Sequence, residues 1–380
     1  MAVREKTSVS SFDVYVVVEE LRQRLLGSKV DNIYQVGERL FLLRFRKPGQ
    51  EPQELVVEAG RSMHTTNYKI KPPKKPPTFC MALRKHLVNS VLKDVVQRGF
   101  ERIAELVFSA RDREYRLVAE LFGRGNLILV SPEARILHAL EYRRMRDRDV
   151  VRGAEFQYPP PSSPTNPLEA TPEILAKLRE YGSLDLVRGV SRLLGLGGVY
   201  AEELVARSRL SRERKCGDLS DEELKSIYKA LSSLRQDLSD PKPRLIYDGE
   251  KLVDAVPFPL KVYEEMRSEP KPSMCEALDE YFTPKFLETV AHAKAATVEK
   301  RVEELERVLA QQTESASKLE QEVARYYYLG ELLQRKHPLV HQVLSLVKQL
   351  WRSRLSLQQA FEQAQNSAPD GVEVLSIEPA

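Results

Sequence analysis

Six prolines fall within residues 157–172, QYPPPSSPTNPLEATP, and they constrain the fold more than any other stretch of the chain. Each fixes φ and removes a backbone donor, so neither a helix nor a sheet interior can run through the segment. The chain must divide there. Short β-rich runs dominate before it and helical spacing dominates after it. At 380 residues the chain has room for two or three compact units, and its 42% hydrophobic content supports a real core.

Before the prolines, Phe12, Val16, Leu21 and Leu25 recur at helical spacing over residues 11–26, with Ser10 or Ser11 as cap and Gly27 as stop. Residues 29–36, 39–45 and 55–59 read as strands, the first two joined at Val36-Gly37-Glu38. KIKPPKKPP, residues 69–77, holds too many prolines for a strand and is expected as a basic surface loop. A helix is expected over 78–89, then strands over 92–98, 102–109, 115–120, 126–130 and 136–140. Gly123-Arg124-Gly125-Asn126 precedes a strand and reads as a turn rather than a phosphate loop.

After the prolines, LLGLGGVYAEELVARSRLSRERKCGDLSDEELKSIYKA spans residues 193–230. Gly195, Gly197 and Gly198 leave the turn before the Tyr200–Arg207 stretch free of side chains. A phosphate could reach the amides there, where a helix start is electropositive. Arg207, Arg209, Arg212, Arg214 and Lys215 follow, and Asp218 or Ser220 can cap the next helix. The same spacing also suits a hairpin that only packs a small domain. Residues 241–259 turn β-like again around Tyr247-Asp248-Gly249-Glu250, as though a later segment completes the first sheet domain. From about residue 283, Val298, Val302, Leu305, Leu309, Leu319, Val323 and Tyr326 form a seam that needs a partner, broken by Pro338. Residues 339–361 read as one or two shorter helices.

Net charge is +4, but residues 1–150 carry 28 Lys/Arg against 19 Asp/Glu, whereas the remainder carries 31 against 36. A basic N-terminal part is the footprint of a protein that meets phosphate. Cys80, Cys216 and Cys275 show no CxxC spacing, so neither a disulfide framework nor a zinc site is expected. His337 and His341 share a helix face, but Pro338 intervenes and no third ligand follows. P-loop, GxSxG and HExxH motifs are lacking, and no spacing selects a pair of carboxylates. Binding is favoured over catalysis, with no metal or cofactor. Lacking an apolar leader or an apolar run long enough for a membrane span, the chain is expected to be soluble and cytoplasmic, without a membrane partner.

The hairpin resembles the helix-two-turn-helix of Fpg-type DNA glycosylases. That family begins at a catalytic proline followed by glutamate and contacts phosphate through an asparagine. Here residues 3 and 4 are Val and Arg, and the asparagine position is Gly198. A wider resemblance joins SSFDVYVVVEELRQRLLGSKVDNIYQV, HTTNYKIKPPKKPPTFCMALRKHL, GFERIAELVF, ELFGRGNLILV and ALDEYF in order. These motifs are similar to the N-terminal half of the NFACT family, which includes RqcH, NEMF and FbpA.

The resemblance implies an α+β multidomain chain. Its parts are an Fpg-like mixed α/β NFACT-N domain over 1–160, completed by 241–282, then a helix-hairpin-helix domain of the helix-two-turn-helix type over 172–240. A coiled-coil arm over 283–365 and a tail over 366–380 follow, the tail belonging to a truncated chain. It implies a ribosome quality control factor that binds the large ribosomal subunit carrying peptidyl-tRNA and a nascent chain, and recruits tRNA, of the alanine type in bacterial members, for untemplated C-terminal tailing. The implied tRNA contacts are Asp13, Glu101, Arg102, Arg84, Lys85 and His86, with glutamate at Glu101 where the family has aspartate. The hairpin residues Gly195, Gly197, Gly198, Tyr200, Arg207 and Arg209 would face nucleic-acid backbone, and the coiled coil would pair through 283–335. A DNA-binding abasic-site lyase is the alternative, and adhesion to host matrix, known for some relatives, ranks below both.

Overall fold

A computed structural model describes residues 5–111, 113–353 and 355–376, without the side chains of 292–298. Met1–His292 forms one unit and Ala293–Ala380 a second.

The first unit opens with α1 (Ser11–Leu25), started by a capping box. Ser10 Oγ accepts from the Asp13 amide at 3.1 Å and an Asp13 carboxylate oxygen accepts from the Ser10 amide at 2.6 Å. Such a cap contributes about 1 kcal/mol. Strands β1 (Lys29–Gln35), β2 (Leu40–Arg46), β3 (Gln53–Glu58) and β4 (Ser62–Thr66) follow. After α2 (Thr78–Leu87) come β5 (Val91–Gln97), β6 (Ile103–Ala110), β7 (Arg113–Glu120), β8 (Asn126–Val130) and β9 (Ile136–Ala139). All nine strands form one antiparallel sheet in the order β4-β3-β2-β1-β5-β6-β7-β8-β9.

The period-2 alternation of side chains decides where the core sits. In β2, Phe41, Leu43 and Phe45 join the main core with Leu21 and Leu25 of α1 and Leu83 and Leu87 of α2. Leu40 and Leu42 face the other way, toward Ile70 and Phe286. The Gly123–Asn126 turn packs directly on the β3–β4 turn: Gly125 has φ +62°, and a Cβ there would overlap the Gly60 backbone nitrogen.

Beyond a short pair, β10 (Arg143–Arg144) and β11 (Asp149–Val150), lies a helical run. It comprises α3 (Pro172–Leu175), α4 (Leu186–Leu194), α5 (Gly198–Ser208) and α6 (Asp221–Ser239). Ser220, not Asp218, caps α6, because Glu223 completes a capping box with it. Strands β12 (Arg244–Asp248), β13 (Lys251–Val256) and β14 (Arg267–Pro270) form a separate three-stranded sheet. Its Leu245, Val253 and Ala255 belong to the same core as α1.

Helix α7 (Met274–Arg335) takes in the ALDEYF segment and continues for 62 residues. In the second unit Val302, Leu305, Leu309, Leu319, Val323 and Tyr326 of the seam are exposed; the Val298 side chain lies outside the described residues. Pro338 stands in the first turn of α8 (His337–Arg352), where a missing N–H costs nothing, and α9 (Leu357–Ser367) follows. Four strands were not expected from the sequence: β4, β14 and the short pair β10 and β11. All five residues of β4 are buried although four are polar, and β14 ends on a proline at a sheet edge.

Candidate nucleic-acid interface

Six of the twelve site residues singled out in the sequence, Glu101, Arg102, Gly195, Gly197, Gly198 and Tyr200, meet at one cleft of about 700 Å³ in the first unit. Its walls are the segment before α1, the β5–β6 turn with Glu101 and Arg102, the prolines Pro159 and Pro160 with Ser162, and the α4–α5 turn through Gly195, Gly197 and Gly198. Tyr200 and Asp254 line its floor. Gly195 adopts φ +66° to end α4, and Ser163 Oγ approaches within 2.6 Å of where a Cβ would stand. Glycine is therefore required for the proline-rich wall to close on this turn. Gly197 caps α5 without a side-chain hydrogen bond, so the first-turn amides of α5 have no side-chain acceptor from their cap and face an open cleft.

Glu101 accepts at one carboxylate oxygen from the Ser162 amide at 2.7 Å and from its hydroxyl at 2.8 Å. The β5–β6 turn is thereby tied to the proline-rich segment. Arg102 donates to Ser8 Oγ at 3.3 Å. Burial pulls its guanidinium below the usual range while Glu101 opposes. A half-buried arginine beside a helix start provides a forked donor set for a phosphate or a base edge.

Asp13 lies behind the lining, with no exposed surface. Its carboxylate pairs with Lys6 Nζ at 2.7 Å, and Tyr200 Oη stands 3.5 Å away. Lys6 also bonds Asp254 at 2.9 Å and the Ala255 carbonyl at 2.5 Å, and Asp254 accepts from Tyr263 Oη at 2.8 Å. Burial opposes the Lys6 charge, yet the two carboxylates outweigh it and raise Lys6 above its ordinary range. Burial pushes the Asp13 carboxyl upward more strongly than Lys6 pulls it down, and Asp254 adds to the rise. One cation thus holds two buried carboxylates and fastens the cleft's N-terminal wall to α1 and β13. Phe12 stacks on Tyr200 at 4.1 Å between ring centroids, joining α1 to α5 beneath the glycine turn. Sequence reasoning missed Lys6, Asp254 and Ser162, because their partners are remote and no local pattern marks them.

The remaining candidates lie elsewhere. Arg84 donates to the Ile33 carbonyl at 2.6 Å with its guanidinium over the Tyr34 ring, fixed to β1. Lys85 and His86 line a different cleft with Arg111, Arg113 and Tyr115. Arg207 pairs with Glu203, which is fully buried, and with Asp237. It sits at the far end of α5, about 15 Å from the glycines by the helical rise. Arg209 is exposed and ends that helix at φ +60°. No group of three or more potential metal ligands occurs among the described residues, and no described helix is long and apolar enough to cross a membrane.

A mixed α+β unit with a large antiparallel sheet is also the fold of the fibrinogen-binding protein from Staphylococcus aureus, with a TM-score of 0.60 at 19% identity over 72% of this chain and 98% of that one. The N-terminal part of the fibronectin/fibrinogen-binding protein from Streptococcus suis matches with a TM-score of 0.58 at 23% identity, covering 73% of this chain and all of that one (100%). The sequence profile of the NFACT N-terminal and middle domains matches residues 10–349, and the chain belongs to the NFACT family. The archaeal Rqc2 homolog aRqcH of Methanocaldococcus jannaschii is 31% identical over 90% of this chain and 52% of its own length. The ribosome quality control complex subunit NEMF of Homo sapiens is 32% identical over 61% of this chain and 21% of its own, and the Rqc2 homolog RqcH of Bacillus subtilis 27% identical over 53% and 38%. The chain thus spans about half the length of the archaeal relative. Two of these relatives are named as Rqc2 homologs and one as a subunit of the ribosome quality control complex.

Proposed function

We propose that this chain is the N-terminal and middle part of a ribosome quality control factor whose Glu101–Arg102 cleft holds tRNA. In this reading the whole protein binds the large ribosomal subunit with obstructed peptidyl-tRNA and recruits tRNA, of the alanine type, for untemplated C-terminal tailing. Residues 1–160 with 241–282 make the tRNA-facing domain, 172–240 a helix-two-turn-helix-like domain, and 283–365 a coiled-coil arm that pairs through 283–335. The protein works in the cytoplasm and carries out binding rather than chemistry.

One observation carries the reading: motifs from four separate parts of the chain converge on one cleft that offers a guanidinium, a carboxylate and open helix-start amides. Arginine and amides suit phosphate, and the carboxylate suits an exocyclic amine of a base. Lys6 is the lysine best placed for an imine-forming lyase, but a lysine kept protonated by two carboxylates is a poor nucleophile. That favours binding over the abasic-site lyase.

The test is a gel shift with total tRNA. Arg102→Ala is expected to weaken binding about tenfold, the scale of one lost charge-assisted contact. Glu101→Gln should change which tRNA is retained, read by sequencing the bound RNA. Unchanged affinity and unchanged RNA content in both variants would remove the assignment, and a borohydride-trapped adduct with abasic DNA would replace it with the lyase.

A further inference from the structure

A second cleft, of about 490 Å³, lies between the end of α2, the β6–β7 turn and β9. Arg102 and Arg111 flank β6 at its two ends, so an eight-residue strand, about 25 Å, separates this cleft from the first. Lys85, His86, Arg111, Arg113 and Tyr115 line it. His138 of β9 stands behind, its ring centroid 5.9 Å from that of His86, and Tyr115 lies 5.5 Å from His86.

The charge pattern sets this place apart. Elsewhere in the unit Arg22, Arg39, Arg46, Arg61, Arg116 and Arg148 each meet a carboxylate within 4.0 Å. Lys85, Arg111 and Arg152 make no ion pair among the described residues, and Arg113 acts only at longer range, on Glu133. Burial lowers both histidines, and the cations around them lower them further: Lys85 and Arg152 act on His86, and Arg152, His86 and Lys85 on His138. Like charges gathered with no paired carboxylate among the described residues repel one another, and a bound anion removes that repulsion.

We infer that this cleft binds the phosphodiester backbone of RNA, as a second contact separate from the Arg102 cleft. The inference rests on the RNA-binding reading above and extends it to residues that no motif of the resemblance included: Arg111, Arg113, His138 and Arg152. Phosphate is favoured over a lone carboxylate because the cations are spread along a groove, which follows a chain of charges. A bound phosphate draws protons onto His86 and His138, so affinity rises as pH falls below the ordinary histidine range. The charged groups acting on the two rings are Lys85 from α2 and Arg152 from the loop after β11, with the Tyr115 ring of β7 beside His86, while Arg113 from β7 and Arg111 from the turn line the same cleft. Histidine is the side chain type whose charge ordinarily changes near neutral pH.

Fluorescence anisotropy with labelled tRNA tests this on the chain as it stands, at two pH values and several salt concentrations. The wild type is expected to bind at least about threefold more tightly at pH 5.5 than at 7.5, within the limit of tenfold per pH unit per proton taken up. His86→Gln/His138→Gln should lose that gain. Lys85→Ala/Arg111→Ala/Arg113→Ala, all exposed positions, should lower the slope of log affinity against log salt by about 2, since each phosphate contact contributes about 0.7–0.9. Arg102→Ala should keep the acid gain whatever its affinity, so the two clefts fail or succeed separately. An unchanged salt slope in the triple variant, or an acid gain that survives the histidine changes, overturns the assignment. Polyglutamate competing as well as RNA would overturn it in favour of an acidic protein partner.

Discussion

Replacing Lys6 by methionine isolates what the buried cluster contributes. Its side chain is 8% exposed, and it is the cation shared by Asp13 at 2.7 Å and Asp254 at 2.9 Å. Methionine fills a similar volume, so the loss is electrostatic. Two carboxylates then face each other in a closed site, and breaking a buried pair this way costs about 3–5 kcal/mol. That is a large part of the stability of an ordinary domain, about 5–15 kcal/mol. The pH dependence carries a second signature. Burial already raises the folded Asp13 carboxyl above its ordinary value, and losing Lys6 raises it further. A group with a raised folded pKa takes up a proton on folding, so its stability is retained in acid and lost as pH rises through the folded value. The deficit of Lys6→Met should therefore be smaller at pH 5 than at pH 7.5. Lys6→Met/Asp13→Asn should recover about 1–3 kcal/mol, because asparagine still accepts at the helix cap and only one carboxylate stays buried. Urea denaturation at both pH values measures all three terms. A loss below about 1 kcal/mol, or a deficit that grows in acid, refutes this account of the cluster.

Three further outcomes are expected. Gly189→Ala places a methyl group onto the Sγ of buried Cys216 and should cost about 1–3 kcal/mol, partly restored by Cys216→Ala; denaturation of the single and double variants checks it. His64 is buried, and burial lowers it against the pull of Asp279, so folding disfavours its protonated form. Stability is thus present above the ordinary histidine range and declines as pH falls from 7 toward 5, and melting of His64→Gln should show a shallower decline. Arg209→Gly relieves a left-handed residue at the end of α5 and should stabilise by about 0.5 kcal/mol; a lower melting temperature counts against it.

Local signals made α1, β8 and the α5–α6 hairpin legible. Ser10 with a periodic apolar face fixes α1, and NLILV between turns fixes β8. Strand β4 escaped notice because Ser62, His64, Thr65 and Thr66 do not read as core. They are buried because β4 pairs with β3 and packs under α1, a condition set by tertiary neighbours. The cleft was legible in its parts and illegible as a whole. Glu101 was singled out, but its bond to Ser162 crosses 61 residues of sequence, and Lys6 meets Asp254 across 248. No periodicity reports such pairs. The resemblance grouped Arg84 with Lys85 and His86, whereas the helix turns Arg84 onto β1 and the other two toward the second cleft.

Asp13 shows how a motif residue can act on a ligand without meeting it. The resemblance gives it a tRNA contact, yet one carboxylate oxygen already accepts from the Ser10 amide and Lys6, and the other faces Tyr200. Exposing it would break the capping box and strand Lys6 in the interior, a cost of several kcal/mol that a single base contact does not return. In its place Asp13 positions others: through Lys6 it holds the Ser8–Ser10 wall that Arg102 leans on, and through Tyr200 it steadies the first turn of α5. Arg102 and Asp13 therefore belong to different experimental classes. Loss of Arg102 should weaken RNA binding with the fold intact, while loss of Asp13 should reduce stability and binding together. If Asp13→Ala instead weakened binding with no change in unfolding free energy, the aspartate would be a direct contact and the cleft would have to open for its ligand.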